Sequence, residues 1–320
     1  MLIFYLAGLL IACLILVRSG TLIVQLLSRI AQYLQISEFI VAFILMAFAT
    51  DIPEMMIGIT SALNGTPELA LGNIIGANII KLTLILGSLA LVADGLYIES
   101  KIMRREAFFA CLISVLPLIL ILDKNLSRFD GLILILALFI YLGGLLEEKK
   151  KFTRTFVQEV IENHKFIRFK NFFKNLFKFL GGIILLMSSA YFVVVLSLKV
   201  AHSLDLSVFI IGLFIIALGT DLPEIVFGFR ALRLNHESMI VGNLIGAVAI
   251  NSTLILGLVS LIHPIKIAEV SMIFTGVIFI LLTLFLFYVF AQTRERISRS
   301  EAMILIVVYM LFLLFEYLSN

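Results

Sequence analysis

Apolar residues gather in long runs along the chain, divided by short polar intervals that hold most of the lysines and arginines. Ten of these runs match or approach the length at which a helix crosses a bilayer, about 17–25 residues. They cover residues 2–17, 39–63, 68–92, 107–122, 131–146, 180–200, 208–232, 238–262, 267–290 and 302–318. A helix satisfies its own backbone in hydrocarbon, so the pattern predicts an all-α membrane protein with ten transmembrane helices. The spans form two sets of five, residues 1–146 and 179–320, joined by a polar interval at 147–178. Five is odd, so the second set enters the membrane upside down relative to the first. That is an inverted repeat, with a pseudo-two-fold axis in the membrane plane.

Basic residues in the short intervals set the orientation. Lys101, Arg104 and Arg105 follow span three, and Lys149, Lys150, Lys151 and Arg154 follow span five. Arg230 and Arg233 follow span seven, and Arg294, Arg296 and Arg299 follow span nine. The alternate intervals carry fewer: Lys124, Arg128, Lys199 and Lys266. Odd-numbered spans are thus expected to exit to the cytoplasm, with both termini outside and the chain crossing the plasma membrane many times. Within 147–178, Lys165, Arg168, Lys170, Lys174 and Lys178 alternate with Phe166, Phe169, Phe172, Phe173 and Phe177. The interval fits either a helix lying in the cytoplasmic interface against anionic headgroups or a solvated linker.

Composition agrees with the runs. Apolar residues make up 62% of the chain and charged residues 14%, too few to cover the surface of a soluble domain. The net charge is +3 with no basic face, which argues against a nucleic-acid partner. Cys13 and Cys111 both fall in apolar runs and read as small fillers rather than a disulfide framework. The first run lacks a basic start and a small-residue cleavage site, so it is expected to be a retained helix. The expected partners are the lipid bilayer and inorganic cations. Oligomeric state stays open, a monomer included.

One stretch occurs twice. Ala49-Thr50-Asp51-Ile52-Pro53-Glu54 returns as Gly219-Thr220-Asp221-Leu222-Pro223-Glu224, at a constant offset of 170 (Asp51 to Asp221). The same offset maps Gly58 onto Gly228, Gly72-Asn73 onto Gly242-Asn243, and Gly76-Ala77 onto Gly246-Ala247. It also maps 83–87 onto 253–257, both Thr-Leu-Ile-Leu-Gly, and roughly two residues in five are identical over the repeat.

Proline cannot donate to the helix ladder and clashes with the preceding turn. Spans two and seven are therefore expected to break at Pro53 and Pro223, freeing carbonyls around 47–50 and 217–220. Gly72, Gly76 and Gly87, with Gly242, Gly246 and Gly257, allow close approach and further unwinding in spans three and eight. Glu54 and Glu224 lie in mid-span, where an ionised acid is costly and rarely kept without a partner. With the freed carbonyls, the amides of Asn73, Asn243, Asn78 and Asn251, and Thr50 and Thr220, they make an all-oxygen set. Such a set suits a hard cation such as Ca2+.

The two motifs, A-T-D-I-P-E and G-T-D-L-P-E, each followed by G-N-x-I-G-A, resemble the alpha-repeats of the sodium/calcium exchanger family. That family lies within the calcium:cation antiporter superfamily, and this chain looks like a prokaryotic-type member. The resemblance implies exchange of Ca2+ for Na+ by alternating access, with no cofactor and no enzymatic activity. It implies Glu54 and Glu224 as the main Ca2+ ligands, helped by the carbonyls of Thr50 and Thr220. Na+ is implied to share the same region.

This chain departs from the family pattern, G-T-S-x-P-E and G-N-x-x-G-S, at several places. Asp51 and Asp221 stand where the family has serine, and Ala77 and Ala247 replace two further serines. Lys81 occupies the position matched by Asn251 in the second repeat, where the family places an amide or acid. An ion pair of Lys81 with Asp51 or Glu54 is expected, and the lysine modifies the site. The four acids still outnumber it. Lys81 and the added aspartates favour a second reading, in which H+ is the counter-ion or another divalent metal is carried, since carboxylates stripped of water can take up protons. An intramembrane aspartyl protease built on Asp51 and Asp221 is disfavoured by the adjacent Pro-Glu pairs. A non-transporting sensor plugged by Lys81 is the remaining alternative.

Overall fold

Helix accounts for nearly every element of the computed structural model, which describes residues 2–33, 47–97, 101–160, 169–204, 207–233, 237–267, 271–293 and 296–319. The first helix, α1, runs Leu2–Tyr33. Two short pieces follow, α2 (Ala47–Thr50) and α3 (Ile52–Leu63), then α4 (Pro67–Ile80), a π turn (Lys81–Ile85) and α5 (Leu86–Val92). After them come α6 (Lys101–Leu120), α7 (Arg128–Val160) and α8 (Phe169–Leu204). The second half opens with α9 (Val208–Ile211), a π turn (Gly212–Ile216), α10 (Ala217–Thr220) and α11 (Leu222–Arg233). It continues with α12 (Glu237–Ile250), a π turn (Asn251–Ile255), α13 (Leu256–Ile262), α14 (Ser271–Thr293) and α15 (Arg299–Ser319).

Among the described residues, four runs are long and apolar enough to cross a membrane: Pro67–Val92, Leu180–Leu204, Ile240–Ile262 and Ile273–Gln292. Shorter apolar helices cover Ile3–Ser19, Ile52–Leu63, Ala107–Asp123 and Val208–Thr220. The apolar windows of Pro67–Val92 and Ile240–Ile262 are 83% and 78% buried, against 44% for the other two. Helices apolar all round are central helices, and these two form the middle of the bundle. Elsewhere Ile3, Phe4, Phe139 and Ile140 are wide open. In a water-soluble chain such exposure would be a liability; on a membrane bundle it is the lipid-facing side.

Glycine sets how closely α4 meets the start of the second half. A Cβ on Gly72 would fall on the Phe209 carbonyl oxygen, and one on Gly76 on that of Leu213. From the other side, a Cβ on Gly212 would meet the Leu69 carbonyl. Backbone therefore packs directly on backbone here, as small residues permit between membrane helices. The glycines of span three supply this approach, whereas the helix loosens farther along, at the π turn Lys81–Ile85. The same loosening recurs 170 residues later at Asn251–Ile255. A second core joins α1 to α8, with Leu9, Ala12 and Leu16 against Ala190, Val193 and Val194.

Two short antiparallel ribbons tie the halves at their ends. Leu96–Tyr97 (β1) pairs with Arg296–Ile297 (β4), and Asn125–Leu126 (β2) pairs with Ile265–Lys266 (β3). Around the first ribbon, Arg299 contacts Asp94 at 2.7 Å and Arg296 donates to the Asp94 carbonyl at 2.6 Å.

The polar interval 147–178, which by sequence suits either a helix or a linker, takes the helical form in its described parts. Helix α7 continues to Val160 and α8 begins at Phe169, so the interval is helical at both ends. No glycine or proline occurs between Leu145 and Leu180 to stop a helix. Lys165, Phe166 and Arg168 lie outside the described residues, as do residues 39–46 of the expected second span and Arg294.

Candidate cation site

The two copies of the Thr-Asp-x-Pro-Glu motif adopt the same backbone. Helix α2 ends at Thr50, Asp51 sits at φ −83°, ψ 0°, and α3 restarts at Ile52 with Pro53 in its first turn. Helix α10 ends at Thr220, Asp221 sits at φ −79°, ψ −2°, and α11 restarts at Leu222. Proline is tolerated in a first turn, where its missing N–H would have had no partner. The interruption is narrower than the sequence led us to expect. Asp221 N still donates to the Ala217 carbonyl at 3.1 Å, and Met55 N and Ile225 N return to Asp51 and Asp221 at 2.9 and 3.2 Å. One residue per copy leaves the helix, and the Ala217 carbonyl is not freed.

Breaking there gives each half a helix start with its glutamate in the first turn. The positive end of a helix dipole favours an anion at that place. An aspartate just before a helix ordinarily caps it. Asp51 makes no such bond; its carboxylate turns instead to Lys81.

Lys81 reaches further than expected. Its Nζ donates to Asp51 Oδ1 at 2.8 Å and to Glu54 Oε1 at 3.2 Å. It also lies 3.2 Å from Asp221 Oδ1 and 3.7 Å from Glu224 Oε1, in ion-pair range but without directed hydrogen bonds. All five side chains are at most 1% exposed. Asp51 faces Glu224 across the two halves, and Asp221 faces Glu54. Helices α2, α3, α10 and α11 bring in the acids, and the π turn after α4 brings in the ammonium.

By formal charge, four carboxylates around one ammonium leave three negative charges in excess, in a place shielded from solvent. Among the described residues, several oxygens meet no donor: Asp51 Oδ2, Glu54 Oε2 and both oxygens of Asp221 and Glu224. An unmet buried charge costs far more than a paired one, so the cage is built to take positive charge. Asp51, Glu54 and Glu224 each offer an oxygen within 4.8 Å of the others, a spacing that can hold a metal ion.

The amides are also placed. Asn73 Oδ1 lies 3.5 Å from the Thr220 hydroxyl, while Asn73 Nδ2 and both polar atoms of the Asn243 amide meet no partner among the described residues. Asn78 and Asn251 are tied together: Asn251 Nδ2 donates to Asn78 Oδ1 at 3.2 Å, and Asn78 Nδ2 to Ser252 Oγ at 2.9 Å. Thr50 and Thr220 are both buried beside the acids. Ser252 is the participant that the sequence reading passed over. Its signal was present as a polar triple, Asn251-Ser252-Thr253, in the middle of an apolar run. Thr83 and Thr253 bond back to the Ile79 and Ala249 carbonyls, one beside each π turn. Such turns are frequent at functional sites.

A sealed cage of buried carboxylates inside an apolar helix bundle defines a membrane transporter for cations. The family model described as sodium/calcium exchanger protein matches residues 4–146 and 174–318. The chain therefore belongs to the sodium/calcium exchanger protein family, whose members are transporters and not enzymes. It is 27% identical over 340 residues to the sodium/calcium exchanger MaX1 of Methanosarcina acetivorans, covering 95% of this chain and 96% of that one. It is 30% identical over 260 residues to the inner membrane protein YrbG of Escherichia coli, covering 81% and 80%. Among solved structures, the sodium-calcium exchanger NCX_Mj soaked with 2.5 mM Na+ and 0.1 mM Sr2+ superposes with TM-score 0.65. That match has 23% identity and covers 97% of this chain and 98% of the other, which shows a common fold. The protein is an integral, multi-pass cation antiporter.

Proposed function

We propose that the chain moves Ca2+ across the cell membrane in exchange for Na+ by alternating access. Ca2+ is held by Glu54 and Glu224, with Thr50 and Thr220 beside them. Asp51, Asp221, Asn73 and Asn243 complete the polar wall, and it is supported by Asn78 near the end of α4 and Asn251 at the start of the π turn Asn251–Ile255. The observation that carries this reading is the convergence of two first-turn glutamates on one sealed, oxygen-rich cage. Hard oxygen ligands select Ca2+ over softer metals, and relatives named as sodium/calcium exchangers support Na+ as the counter-ion. The central ammonium of Lys81 favours a second reading, H+ as the counter-ion.

Flux of radioactive Ca2+ into proteoliposomes separates the two. Uptake driven by an outward Na+ gradient at constant pH is the expected result. Uptake driven only by a pH gradient selects the second reading, and no uptake under either gradient rejects Ca2+ as substrate.

The architecture proposed with this function is ten spans in two inverted sets of five, with both termini outside. The bilayer and the transported cations are its partners. The ribbons support the plan: β1 and β4 follow spans three and nine, and β2 and β3 follow spans four and eight. Each ribbon thus pairs two intervals that the alternation of spans puts on one side. In otherwise cysteine-free protein, Lys124→Cys is expected to react with an impermeant maleimide from outside, and Lys150→Cys only after permeabilisation. The reverse pattern refutes the orientation.

A further inference from the structure

We propose that Lys81 is a built-in counter-cation: its ammonium fills the carboxylate cage when the divalent ion is absent and replaces one mobile Na+ in the exchange cycle. The proposal rests on the function stated above and deepens it.

The geometry makes ammonium and ion alternatives. Nζ stands 2.8 to 3.7 Å from one oxygen of each of the four acids, the middle of the cage rather than its rim. A Ca2+ ion bound by Glu54 and Glu224 at about 2.3–2.6 Å would fall where Nζ now lies. Like charges at that spacing repel strongly where water is absent. The ammonium is tethered to a flexible four-carbon stem and starts from the first residue of a π turn. It therefore has both a reason to leave when Ca2+ enters and the means to return when Ca2+ departs.

The charge count gives it a task. A carrier that releases Ca2+ exposes four carboxylates to a dry interior and cannot reset until positive charge replaces what left. Ordinarily mobile cations supply all of it. Here one positive charge arrives on the chain itself, so one fewer Na+ is needed. Asn251, at the matched position in the second repeat, brings no charge, so one tether serves the whole cage.

The test counts Na+ ions directly in purified protein, by following how apparent Ca2+ affinity falls as Na+ rises. Each competing Na+ contributes one unit to the logarithmic slope. Lys81→Asn and Lys81→Met are both expected to steepen the slope by one relative to wild type. For each tenfold rise in Na+, Ca2+ binding then weakens by about one further factor of ten. Equal slopes overturn the proposal while leaving Ca2+/Na+ exchange standing. Variants that fold but bind neither ion overturn it too, because the lysine is then a structural brace. A wild-type measurement covers the case in which neither variant folds. In 15N-lysine-labelled protein, the signal of the solvent-protected ammonium should move when Ca2+ is added. A signal that stays in place while Ca2+ binds overturns the proposal. Wild type that takes up neither Ca2+ nor Na+ refutes the proposed function itself, and the lysine's role with it.

Discussion

Glu54→Gln and Glu224→Gln are each expected to lower Ca2+ transport roughly 100-fold while leaving the yield of folded protein unchanged. Removing one partner of a buried charge interaction costs about 2–5 kcal/mol, and about 2.7 kcal/mol corresponds to a factor of 100. Glutamine keeps the shape and one carbonyl oxygen but not the charge. The folding half of the prediction follows from the excess of acids. Lys81 contacts four carboxylates, so deleting one negative charge relieves repulsion and still leaves the ammonium three partners. Transport and yield should thus separate. Initial rates of Ca2+ uptake in proteoliposomes, set beside size-exclusion profiles, check both halves. Wild-type flux in either variant would remove the glutamates from the site.

Gly76→Val is expected to abolish folding rather than transport alone. The added Cβ would occupy the position of the Leu213 carbonyl oxygen, with the Ala217 side chain close behind. Backbone cannot yield as the tip of a flexible side chain can, so the cost exceeds ordinary overpacking, about 1–3 kcal/mol. Gly143→Ala is the control, since no atom of the described residues lies within 4 Å of its Cβ position. Alanine there should be neutral or raise thermal stability, by up to about 1 kcal/mol, through helix propensity. Detergent-solubilised Gly76→Val should elute as aggregate and Gly143→Ala as a single symmetric peak. A well-folded Gly76→Val would show that α4 and the start of the second half do not pack as closely as the structure has them.

Much of the site was legible because it is written twice. The paired Thr-Asp-x-Pro-Glu motifs located both helix interruptions, and mid-span acids in apolar runs marked the charged centre. The identity of the Lys81 partners was legible only in part. Sequence proximity pointed to Asp51 and Glu54, whereas Asp221 and Glu224 reach the lysine through the folding of one half onto the other, which no local pattern encodes. The unwinding expected in spans three and eight takes the form of π turns at Lys81 and Asn251, whose exact position the sequence did not mark, since an added residue per turn has no composition of its own. The ribbons left no trace, each being two residues long and below any detectable alternation. The helical extensions through 147–160 and 169–178 matched one of two readings open in the sequence, since the charge there suits a linker while nothing in the stretch disfavours helix.

A lysine present in only one of the two repeats also bears on the balance between the two faces of the membrane. In the inverted plan proposed here, matched halves exchange roles when the carrier turns over, so an evenly built protein spends equal time open to either side. Lys81 belongs to one half alone, and its counterpart is the neutral Asn251. The inward-open and outward-open forms then differ in where the tethered charge sits relative to each entrance, and their populations need not match even at zero voltage. A single residue thereby makes the two halves of the cage unequal in charge, although their backbones at the acid motifs match.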